Sequence, residues 1–195
     1  MAVASEYNKY PVEPPAASIG GSAGAVTLRQ FALAVHEADG VADACVSLQD
    51  ELGLDVNVLL LAAYVGAVRG VTLTPAALDS ARALTDDWRR DVVYPLRLVR
   101  RGLKSGPPPA PSTQTAELRS QVAKAELAAE MIELDVLGEF ADDLRTASAP
   151  GGPAERAAAA MDVVMRGYQA GSLGDDALRA VELVAAAAAR HSKVR

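Results

Sequence analysis

Apolar residues recur at three- and four-residue steps along most of the chain. No stretch alternates apolar with polar in the two-residue rhythm of a strand. The pattern predicts an all-α protein, an irregular bundle of about seven helices. Thr27 caps a first short helix with Phe31, Leu33 or Ala34, and Val35 turned inward, and Asp39-Gly40 ends it. A second helix from about Val41 to Leu52 carries Val41, Ala44, Cys45, Leu48 and Leu52 on one side and stops at Gly53. Asp55 caps a third helix reaching about Arg69 and closed by Gly70. Its near-continuous apolar run from Val58 to Val65 predicts a central helix buried on most sides.

Thr74-Pro75 opens a fourth helix that runs to about Lys104. Pro95 falls inside it, removes a backbone donor and predicts a kink near Asp91–Tyr94. The Pro-rich connector Ser105–Ser112 turns the chain into a long fifth helix from about Thr115 to Leu144. Leu118, Val122, Ala125, Ala129, Ile132, Val136 and Phe140 are expected on its inner face. Together these form a long Pro-kinked antiparallel hairpin. After a second linker, Ser148–Pro153, come two alanine-rich helices, about Ala154–Ala170 and from Asp175 onward. The expected organisation is a flexible tail over 1–25, a helical core domain over 26–146 and a C-terminal helical hairpin over 147–195 appended to it.

The 195 residues carry a net charge of −6, with a sequence pI of about 5.0. That balance argues against a general nucleic-acid coat, and two Phe, one Trp and five Tyr are few for a base-stacking platform. One cysteine, Cys45, forbids an intrachain disulfide and a multi-thiolate zinc site. Only His36 and His191 supply imidazole. The Glu-x-x-His pairs of a di-iron helix bundle are absent, so no metal and no cofactor is expected. The N-terminus lacks the charged and apolar regions of a secretory signal, and no apolar run reaches the ~18–20 residues of a membrane span. The expectation is a cytoplasmic bacterial protein, its Ala- and Arg-rich composition fitting a GC-rich genome.

The fourth helix carries the strongest charge pattern. At ~100° per residue, Arg89, Arg90, Arg97, Arg100, Arg101 and Lys104 share about a third of the circumference. Trp88, Val92, Leu96, Val99 and Leu103 form an apolar seam beside them. The fifth helix answers with Glu126, Glu130 and Glu133. Two readings stand side by side: exposed Arg–Glu pairs that fix the register of the hairpin, or an anion site in which Arg89, Arg97, Arg100, Arg101 and Lys104 meet phosphate or an acidic partner. A second polar cluster, Gln49, Asp50, Asp55 and Asn57, crowds the corner between helices two and three. Asp55 reads as a helix cap there. The functional alternative is a small polar site with Arg89 or Arg97 presented to Asp50 or Asp55. Trp88 reads as a core anchor whose indole N–H finds a carbonyl or carboxylate. Cys45 reads as a small hydrophobe. No catalytic pair can be assembled from spacing.

The segments GVADACVSLQD (Gly40–Asp50), DVNVLLL (Asp55–Leu61) and WRRDVVYPLRLVRRGLK (Trp88–Lys104) resemble a family of small bacterial all-helical proteins catalogued as a domain of unknown function. The resemblance covers about half the chain. It departs at Val46, where Leu is usual, and at Ala62–Tyr64, where the family tends to place Trp or Phe. The last two helices fall outside it. It implies a soluble helical protein and no activity. The expected function is therefore a non-enzymatic helical interaction or adaptor protein, with a protein partner or a second copy of itself. The alternative is a regulator that binds a small anion or nucleotide through the arginine-rich face.

Overall fold

The computed structural model describes residues 26–168 and 174–192. The proposed tail over 1–25 lies outside the described residues, as does most of the Gly171–Gly174 turn. Seven continuous helices make up most of the described residues. They are α1 (Leu28–His36), α2 (Val41–Leu52), α3 (Val56–Tyr64 continuing as a π-helix over Val65–Arg69), α4 (Pro75–Trp88, a π-helix over Arg89–Val93, then Tyr94–Ser105), α5 (Thr113–Asp143), α6 (Pro153–Tyr168) and α7 (Asp175–Arg190). No strand occurs among the described residues. One isolated antiparallel bridge, Val71 to Ser148, joins the loops after α3 and α5.

Local chemistry sets the boundaries. Thr27, Asp55, Thr74 and Ser112 each accept a hydrogen bond from a backbone N–H of the first turn that follows. Gly53 and Gly70 end α2 and α3 with φ of 66° and 67°, left-handed conformations that a side chain would strain. Every residue from Val56 to Tyr64 is buried, as a helix apolar on all sides requires. Leu59, Leu60 and Leu61 each contribute about 1.5–3 kcal/mol by leaving water. Tyr64 meets Phe31 edge-on at 5.4 Å and donates its hydroxyl to the Val26 carbonyl at 2.9 Å.

The C-terminal hairpin is not an appendage. α6 packs on α3 and its π turn, and α7 packs on α2. Met161, Val164, Met165, Val184 and Ala188 belong to the same apolar cluster as Phe31 and Leu60. Without α7, α2 would lose its main neighbour, so the boundary expected near residue 147 does not divide the core. The molecule divides elsewhere. No residue from Arg82 to Glu130 joins that cluster. The Tyr94–Ser105 part of α4 packs chiefly on α5, and the two form an arm held by other means.

α3 and α6 touch at Gly66. A Cβ there would stand 2.3 Å from the Arg156 carbonyl oxygen, which is backbone and cannot yield cheaply. Gly66→Ala should destabilise the protein by about 1–3 kcal/mol, lowering Tm by roughly 5 °C. An unchanged Tm in thermal unfolding would show that α6 does not lie this close.

Candidate functional site

The π turn at Arg89–Val93 decides what faces α5. Pro95 offers no N–H, and its ring crowds the carbonyl four residues back, that of Asp91, so the turn before it widens. A widened turn inserts one residue and carries everything after it around by about 100°. The inward positions accordingly become Val93, Arg97 and Arg100 rather than Val92, Leu96 and Val99. Val93 and Arg100 are buried and Val99 is exposed. The expected seam is therefore corrected by one residue, and the guanidinium groups are turned inward.

α5 is corrected in the same sense. Leu118, Ile132 and Val136, expected inside, are exposed, while Glu126, Glu130 and Glu133 are buried at 0%, 1% and 2% exposure. The Arg–Glu pairs are thus interior contacts, not surface ones. Arg97 donates from Nε to Glu126 at 2.9 Å and from a terminal nitrogen to Glu130 at 2.5 Å. Arg100 donates from Nε to one Glu126 oxygen and from a terminal nitrogen to the other at 3.2 Å. Against the cost of burial, the two guanidinium groups hold the Glu126 carboxyl below its ordinary range, and Glu126 and Glu130 hold Arg97 above its own.

The cluster continues into the start of α3. Asp55 accepts from the Asn57 N–H at 2.9 Å and pairs with Arg89 at 3.0 Å. The Asn57 amide donates to Glu133 at 2.7 Å. Four carboxyls (Asp55, Glu126, Glu130 and Glu133) meet three guanidinium groups (Arg89, Arg97 and Arg100). The odd carboxyl is Glu133. Burial first, then the Asp55 charge beside it, push its pKa up to about 9, so at neutral pH it keeps its proton and donates it toward Asp55. A polar cavity of about 10 Å³ lies among Asp55, Asn57, Arg89, Arg97, Glu130 and Glu133. That is room for no more than a single water. The chemistry available here is the sharing of one proton between Glu133 and Asp55.

Residues 27–137 match a family described as "Protein of unknown function (DUF2390)". The chain belongs to that family. No curated protein and no solved structure matches it. The DUF2390 match spans α1 to α4 and most of α5, and so contains every member of the buried ionic cluster.

Of the residues singled out in the sequence, the structure brings Asp55, Asn57, Arg89 and Arg97 to one cavity, with Arg100 one turn away. Asp55 is the cap of α3, and the Trp88 indole donates to the Ala129 carbonyl at 3.1 Å. Gln49 is half-buried on α2, and Asp50 is exposed and 3.6 Å from the exposed Arg101. Neither lines the cavity. Lys104 is exposed. Cys45 is buried, which pushes its thiol up to about 12. Glu133 as a protonated partner of Asp55 was missed. The imbalance of four acids and three arginines carries that signal only once the residues are known to be buried together. Among the described residues, no group of three or more His, Cys, Asp or Glu is placed to hold a metal ion, and no helix is long and apolar enough to cross a membrane.

Two consequences can be measured. Removing the Arg100 guanidinium (Arg100→Met) leaves Glu126 buried with one partner fewer. It should cost about 3–5 kcal/mol, or roughly 10 °C in Tm, and Glu126→Gln in the same chain should restore part of that. Glu133 has the opposite sign. Its folded pKa lies above its unfolded value, so the folded chain holds an extra proton and loses stability as pH rises from about 4.5 toward about 9. Glu133→Gln keeps both hydrogen bonds without the proton. It should raise Tm at pH 8 by on the order of 5 °C and change it little at pH 4.5. A lower Tm at pH 8 would show that Glu133 is ionised in the folded chain.

Proposed function

We propose that the protein works by binding another protein, as a non-enzymatic helical adaptor in the bacterial cytoplasm, and that the Tyr94–Ser105 arm of α4 is its docking element. One observation carries this reading: the arm is inverted. The Arg97 and Arg100 guanidinium groups point at α5, and three of the arm's large apolar residues point to water. Tyr94, Leu98 and Val99 are 54%, 50% and 50% exposed. Exposed Arg101 and Lys104 border them. An apolar strip with a cationic edge suits an amphipathic partner helix with an acidic flank. The anion-binding alternative draws less support, because Arg97 and Arg100 already hold Glu126 and Glu130, and Arg89 holds Asp55.

The test is affinity capture at moderate salt from the source cells with the tagged full chain, wild type against the Leu98→Glu/Val99→Glu pair. Both positions are exposed, so the variant should unfold at the wild-type temperature. Recovery of one stoichiometric partner should fall at least tenfold, a loss of about 1.4 kcal/mol or more. Equal recovery would rule out the arm. A small anion that raises Tm with dose, with no protein recovered, would favour the alternative.

A further inference from the structure

We infer that residues 94–125 form an ionically latched flap, the end of α4 and the start of α5 opening together while the rest of the molecule stays folded. Within this stretch Arg100, Thr115 and Ala123 are buried, and every other residue is half-buried or exposed. Ala123 is the one buried apolar side chain of the three. From Val56 to Tyr64, by contrast, every residue is buried. A segment opens at lower free energy where fewer apolar contacts are lost. The residues that α5 gives to the core cluster, Leu134, Leu137 and Ala141, all lie beyond the stretch. The two halves depend on each other. Tyr94–Ser105 packs chiefly on α5, so the start of α5 loses its neighbour when this part of α4 departs.

Charge fastens the flap. Arg97 and Arg100 leave with it, whereas Glu126 and Glu130 lie on the part of α5 that stays. Breaking these contacts returns each ion to water, and the hydration regained offsets much of the attraction lost. An apolar contact offers no such return. Arg101 also reaches Asp50 at 3.6 Å, but both side chains are exposed and the pair adds little. Below the latch, the Trp88 indole holds the Ala129 carbonyl and Arg89 holds Asp55. Between these anchors and the latch lies the π turn Arg89–Val93, followed by Pro95, which has no N–H to donate. That turn already departs from the regular helical hydrogen-bond pattern and supplies the hinge. Gly102 weakens the flap further. It is exposed, and a Cβ there would meet nothing within 4 Å, so packing does not require glycine. Arg97 also lines the cavity beside Asp55 and Glu133. The flap is therefore the lid of that cavity, and its opening admits water to Glu133. None of this rests on what docks against Tyr94, Leu98 and Val99.

Amide hydrogen exchange on the full chain, read by mass spectrometry, tests the flap. Corrected for intrinsic rates, the slowest amides of Tyr94–Ser105 and of 113–125 should share one rate, about 100-fold or more above that of Val56–Tyr64. Glu126→Gln weakens the latch. It should raise exchange in both halves by about tenfold and leave Val56–Tyr64 unchanged. Gly102→Ala alters α4 alone, yet it should slow both halves by about fivefold, again with Val56–Tyr64 unchanged. Protection of the flap equal to that of α3 would overturn the inference. So would halves that each respond only to the substitution on their own helix, which would mean independent fraying. A Glu126→Gln chain that loses protection in α3 as well would overturn it too, because the ionic contacts would then hold the whole molecule and not a flap.

Discussion

Two guanidinium groups buried against two carboxylates hold the arm of this protein together. Arg97 and Arg100 sit between α4 and α5 where a helical hairpin ordinarily places leucines, and Glu126 and Glu130 receive them. Such a contact has different physics from an apolar seam. Each ion loses its hydration on burial, and only a partner at hydrogen-bond distance offsets the loss. Sliding α5 by one residue would strand four charges in the interior. An apolar seam would tolerate the same slip at far lower cost. The network therefore contributes little net attraction and a great deal of register.

From that constraint follow the other features of the site. Val93, Ala129, Leu134 and Leu137 are buried, but with charge occupying the middle of the hairpin six larger apolar residues of its two helices are left without a place inside it. They stand outside: Tyr94, Leu98 and Val99 on α4, Leu118, Ile132 and Val136 on α5. A surface of this kind is costly for a chain that acts as an isolated monomer, and its α4 part is the ground on which the docking proposal rests. The same network reaches the cap of α3 through Arg89 and Asp55. There a fourth carboxyl, Glu133, remains neutral because no guanidinium answers it. Polar contacts are thereby added to the packing of Leu134, Leu137 and Ala141 of α5 in tying the arm to the most buried helix of the core.

Much of this fold was legible in the sequence. Caps at Thr27, Asp55 and Thr74, glycine stops at Gly53 and Gly70, and the three- to four-residue recurrence of apolar positions identify seven helices and the centrality of α3, because these signals are local. The disturbance at Pro95 was legible too, as was membership of a family of unknown function, whose match covers residues 27–137. The pairing of Arg97 and Arg100 with Glu126 and Glu130 could be anticipated from the hairpin. Its burial could not. A helical wheel assumes 3.6 residues per turn throughout, and the π turn over Arg89–Val93 breaks that assumption just before the residues that matter.

Where helices begin and end is a local property of the chain, because capping, proline and glycine act within a few residues. The pattern of charges also predicts that opposite signs meet across the hairpin. Tertiary structure decided which side of each helix is inside. A side chain is buried against whatever the neighbouring element presents, and here that element presents guanidinium groups, so Glu126 and Glu130 went in while Leu118, Ile132 and Val136 stayed out. It decided as well that α6 and α7 complete the core, since their alanines and methionines are apolar enough for either a separate hairpin or a shared interior. Only contact with α2 and α3 settles which.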